Sequence, residues 1–107
     1  MIDENIIQEE PQLTPLEVRR LEVAQYQTNI DTFNAILATL PSELPAHLVA
    51  YRARKDKHDA AAEIENLDDV ALLSDVWFYD ELKGRVRSET VEMRKAQAIL
   101  AVLEANQ

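Results

Sequence analysis

The chain has no cysteine, which excludes disulfides, thiolate nucleophiles and thiolate metal sites and makes a reducing compartment the expected setting. It has one glycine, Gly84, and no proline beyond Pro45, so more than half of it lacks the usual breakers of a helix. Valine and isoleucine are not gathered into alternating runs, which argues against strands. No apolar run approaches the roughly 20 residues that cross a bilayer. The opening MIDENIIQEEPQL, with four acids and no base, has the character of neither a secretory signal nor a transit peptide. A cytoplasmic protein without a membrane partner is therefore expected.

What is present is helix-forming sequence. An all-α fold follows: an antiparallel three-helix bundle built from long helical hairpins, with an acidic N-terminal tail over residues 1–13 and a single helical domain over 14–107. The stretch Thr14 to Glu17 reads as a capping box with Pro15 at the first helical position, and opens a helix running to about Leu40. Within it Leu16, Val23, Ile30 and Leu37 recur every seven residues, and Tyr26, Phe33 and Leu40 follow three positions later, an a/d seam with Arg19 as its polar d position. Pro41 and Pro45 stop that helix. A second, weakly amphipathic helix is expected over 45–66, with the stripe Leu48, Val49, Ala53, Ala60, Ile64 and Leu67. A third begins near Asp68 or Asp69 and extends to Glu104, bent or split near Gly84.

Charge is blocked along the chain, with 20 acids against 11 lysines and arginines and a net charge of −9. That balance argues against duplex DNA or anionic lipid as the main partner. Residues 60–82 hold seven acids and no base, whereas YRARKDKHD at 51–59 concentrates four of the bases. If the second and third helices form a hairpin turning near residue 67, Arg54 faces Glu81 and Lys55 faces Asp80, while Asp31 of the first helix approaches Arg54. The basic cluster is then an intramolecular counter-charge and not a nucleic-acid contact.

The third helix is apolar on two sides. Leu72, Val76, Tyr79, Leu82, Val86, Met93 and Leu100 form one stripe, expected in the chain's own core. Val70, Leu73 and Trp77 point away from it, with Ile99 and Val102 on the same second side. The consecutive Trp77, Phe78 and Tyr79 cover about 200° of a helix, too much for one core-facing stripe. Val70, Leu73, Trp77, Phe78, Ile99 and Val102 are the candidate partner-binding residues.

Chemistry is not visible. His47 and His58 would lie about 16 Å apart on a helix, too far to share a metal. Acid pairs three apart, as in the magnesium sites of all-α nucleotide pyrophosphatases, are Asp56 with Asp59, Glu65 with Asp68 and Glu89 with Glu92; about four would arise by chance at this acid content. No catalytic residue, metal ligand, cofactor or small-molecule substrate is assigned. The expected function is a non-catalytic helical protein–protein interaction module, such as a small adaptor, assembly or regulatory subunit, self-associating through its third helix. An acidic inhibitor that imitates nucleic acid is the alternative, and a magnesium-dependent pyrophosphatase stands behind both.

Overall fold

The computed structural model describes residues 12–107, so most of the expected acidic tail lies outside the described residues. Helix α1 spans Pro15–Leu37. Thr14 is extended and its Oγ1 accepts the Glu17 N–H at 3.1 Å, while the Glu17 carboxylate accepts the Thr14 N–H at 2.9 Å, so two orphan donors of the first turn are satisfied reciprocally. The helix ends three residues before Leu40. Its last turn tightens, with the Thr39 N–H on the Ile36 carbonyl and the Leu40 N–H on the Leu37 carbonyl, before Pro41 closes off continuation.

The second helix expected over 45–66 is corrected. A 3-10 turn at Ala46–Leu48 leads into α2, Val49–Arg52, the chain leaves helical geometry at residues 53–56, and α3 occupies Lys57–Ala62. Two causes act together. Asp56 takes an N-cap role, its carboxylate accepting the Asp59 N–H at 3.0 Å, in place of a helix-interior position where aspartate competes with the backbone. Arg52 and Arg54 spend their guanidinium groups on bonds to other segments. The three-helix bundle thereby becomes two long helices joined by a folded connecting segment, and no strand occurs among the described residues.

Helix α4 is continuous over Leu67–Ala105, 39 residues or about 58 Å at 1.5 Å per residue. That is nearly twice the diameter of a small domain. Asn66 caps it by accepting the Asp68 and Asp69 N–H groups at 2.8 and 3.3 Å, and those two acids sit at the positive end of the dipole. The split expected near Gly84 does not occur, because the helix runs through it. A Cβ added at Gly84 would meet nothing within 4 Å among the described residues, so no close approach there requires the glycine. Gly84→Ala is expected to stabilise the fold by about 1 kcal/mol, raising Tm by about 4–8 °C in a calorimetric scan. A fall in Tm would mean that the glycine serves a contact the isolated chain does not show.

Helix α1 packs antiparallel on the C-terminal half of α4. Arg20 bonds Glu104 at 3.2 Å at one end, and the Asn29 amide donates to Glu89 at 2.8 Å further in. On α4 the positions 82, 86, 89, 93, 96, 100 and 103 recur at alternating steps of four and three and are all buried or half-buried, matching the 16, 19, 23, 26, 30, 33 and 37 series of α1. Leu16, Ile30, Leu82 and Ala96 are the buried members of this seam. A second core lies at the other end, where the connecting segment covers the N-terminal half of α4 and Leu48, Ala60, Leu73 and Val76 are buried.

The two cores use opposite sides of α4. Leu73 and Leu82 are nine positions apart, which is about 180° around a helix. Both are almost wholly buried, at 0% and 2% exposure. Helix α4 is therefore apolar on two sides, but Val76, expected on the side of Leu82, is buried with Leu73 in the second core, and the chain itself covers one side at each end.

Candidate interaction surface on α4

The basic cluster at 51–59 binds the connecting segment to α4. Arg52 grips Asp80 with two bonds, Nε to Oδ2 at 2.9 Å and Nη2 to Oδ1 at 2.6 Å, and its Nη1 donates to the Ser42 carbonyl at 3.0 Å. The Arg52 carbonyl accepts the indole N–H of Trp77 at 3.2 Å, and the Lys57 ammonium stands 5.7 Å from the Trp77 ring centroid. Arg54 pairs with Glu63 through two bonds, at 3.2 and 2.7 Å. The expected contacts of Arg54 with Glu81, Lys55 with Asp80 and Asp31 with Arg54 are corrected: Glu81 pairs with Arg85 on its own helix, Asp80 takes Arg52, and Asp31 accepts from Gln27. The hairpin arithmetic assumed a straight second helix, and the break at 53–56 removes that register.

The Arg52 guanidinium, bonded to the Asp80 carboxylate, holds that carboxyl below its ordinary value against the opposing effect of partial burial. Its contribution to stability is thus complete above the ordinary carboxylate pKa, about 4, and is lost as pH falls through the lower folded value. The pair is partly solvated, so its worth is about 1 kcal/mol or less. Thermal melts taken from neutral pH down through the carboxylate range are expected to show a steeper acid loss for the parent than for Asp80→Asn; equal slopes would remove Asp80 from the acid response.

The six candidate residues separate into two sets. Leu73 is wholly buried, Val70 is half-buried, and Trp77 is half-buried against Arg52 and Lys57, so the chain's own connecting segment occupies that end of the second side. Phe78, Ile99 and Val102 are exposed. Beyond Leu82 the second side continues with Gly84, Ser88, Val91, Lys95, Ala98, Val102 and Ala105, which again recur at steps of four and three, each two positions on from the α1 seam and so about 200° away from it. Val91 and Val102 are 47% and 60% exposed, although both stand on a helix whose opposite side is packed. Val91 is hard to see in the sequence because the stripe between it and Trp77 carries only small or polar residues such as Gly84 and Ser88; the seven-residue spacing to Gly84 and Ala98 is the signal.

Arg87 and Arg94 flank this stripe, each one position before Ser88 and Lys95. Among the described residues neither has an acidic partner within ion-pair distance, whereas Lys95 reaches Glu92 at 2.9 Å. The acids of 60–82 are largely engaged: Glu63, Asp69, Asp80 and Glu81 pair with Arg54, His47, Arg52 and Arg85. Two of the three acid pairs three apart have structural partners as well, Asp56 as a cap, Glu89 with Asn29 and Glu92 with Lys95. Among the described residues no three His, Asp or Glu side chains converge on a metal-sized site, no pocket opens, and no helix is long and apolar enough to cross a membrane.

These features define an all-α protein whose frame is an antiparallel helical hairpin with one helix apolar on both sides. No family model, curated protein or solved structure matches the chain.

Proposed function

We propose that the chain is a non-catalytic helical protein–protein interaction module, a small adaptor, assembly or regulatory subunit of the cytoplasm that works by presenting one face of α4. The observation that supports it is the uncovered continuation of the second apolar side, with Val91, Ile99 and Val102 exposed on a helix already packed along its other side. A helix apolar on opposite sides is stable in water when both are covered, and among the described residues the bonds of the connecting segment to α4 reach no further than Asp80. Burying two valines and an isoleucine in a partner would contribute a few kcal/mol by area, about 1.5–3 kcal/mol for each fully covered side chain.

The reading is tested by replacing Val91, Val102 or Gln27 in turn with a photo-crosslinking amino acid in the native host. Gln27 stands exposed on α1, away from the stripe. A discrete adduct formed from positions 91 and 102 but not from 27 is the expected result. Absence of an adduct from every position would overturn the interaction reading.

A further inference from the structure

Resting on that reading, we infer that the occupant of the α4 stripe is an acidic amphipathic helix of a partner protein. Heptad spacing places Gly84, Val91, Ala98 and Ala105 at d positions and Ser88, Lys95 and Val102 at a positions of a second seam, with Arg87 and Arg94 at g. A partner helix that pairs with this seam needs aliphatic knobs for the small holes around Ala98. It also needs carboxylates where the g-position arginines meet it, because those positions choose the partner by charge. Arg87 and Arg94 are available for this, with no acid of the described chain within ion-pair distance.

The stripe is continuous with a surface that already holds a covering segment. The same side of α4 carries Leu73, Val76 and Trp77 under the connecting segment, and Lys57 and Arg52 dock there against the ring and acid of α4. Past Leu82 the charge on α4 inverts. The covering segment brings bases to an acidic half-helix; whatever covers the basic half must bring acids.

A second copy of the chain meets this seam poorly. Aligned parallel, Lys95 would stand against its own copy in the seam core. Aligned antiparallel about Val91, Arg87 would face the copy's Lys95 and Lys95 its Arg87. Nucleic acid would satisfy the arginines but leave Val91, Ala98 and Val102 against phosphate, on a chain whose net charge is −9.

The test is a titration of the isotope-labelled full chain, followed by amide NMR, with three probes: a synthetic heptad peptide of leucine and glutamate, the same peptide with lysine for glutamate, and a single-stranded oligonucleotide. The glutamate peptide is expected to shift amides over 84–105, to bind less tightly as salt rises, and to lose about tenfold or more in affinity in Arg94→Glu and in Val91→Asp. Both sites are exposed, and retention of the parental Tm confirms that each variant folds. Equal or tighter binding of the lysine peptide, binding of the oligonucleotide to the same amides, or concentration-dependent self-association shifting 84–105 without peptide would overturn the proposal. If no probe shifts these amides while crosslinks form at 91 and 102, the acidic occupant is wrong and the interaction reading stands. If crosslinks also fail, both fall.

Discussion

Leu73→Ala is expected to destabilise the fold by about 3 kcal/mol, within the 2–5 kcal/mol range of buried leucine truncations. Leu73 is fully buried, and the core it belongs to is small, with Leu48, Ala60 and Val76 as its other buried members. So few residues leave little capacity to collapse around the vacated volume, which places the cost above the transfer term alone. The loss should be local. Residues 46–62 hold only short helices, and with their apolar anchor reduced they are held by the Arg52 bonds to Asp80 and Ser42 and the Trp77 bond to the Arg52 carbonyl. Hydrogen exchange in Leu73→Ala is therefore expected to accelerate over 46–62 and the N-terminal half of α4, with red-shifted Trp77 emission, while α1 keeps its protection. Uniform acceleration over the whole chain would show that the molecule has one cooperative core.

Ile30→Ala is expected to cost about 2 kcal/mol, at the low end of the same range. Ile30 and Leu16 are the buried residues of α1, and they retain 8% and 9% exposure because a seam between two helices is open to water along both edges. Its consequence lies at the opposite end of α4. An isolated 23-residue helix without strong internal pairing is marginal in water, so weakening the seam should fray α1 itself and lower the helical circular dichroism. Exchange should accelerate in α1 and residues 84–105 and leave 46–62 near its parental rates. Identical exchange patterns in the two variants would contradict the division into two cores on opposite sides of α4.

The parts legible from sequence are those where every local signal agrees. Thr14, Pro15 and Glu17 specify a helix start by themselves, and the seven-residue recurrence from Leu16 to Leu37 needs no tertiary information to name the buried face. Along α4 the large members of the seam, Leu82, Val86, Met93 and Leu100, were legible, whereas Glu89 and Ala96 were not. One is charged, with its carboxylate bonded to Asn29, and the other is buried because α1 comes close. The middle segment was illegible for a different reason. Whether residues 53–56 continue a helix depends on what Arg52, Arg54 and Trp77 meet elsewhere, and propensity gives no account of that. For the interaction surface, Ile99 and Val102 were readable from the wheel, but the inward turn of Leu73 and Trp77 depends on the path of the connecting segment.

Helix α1 is synthesised before the other described helices and is the last of them to find its mate. Arg20 meets Glu104, 84 positions later, so the seam closes only after α4 has emerged. Closure entropy grows only logarithmically with that separation, yet no contact in this seam rewards the chain until it is met. The connecting segment and the first half of α4 are neighbours in sequence and can assemble during elongation. Leu16, Val23 and Ile30 meanwhile wait exposed, which makes the interval before α4 is complete the time when this protein is most open to mispairing.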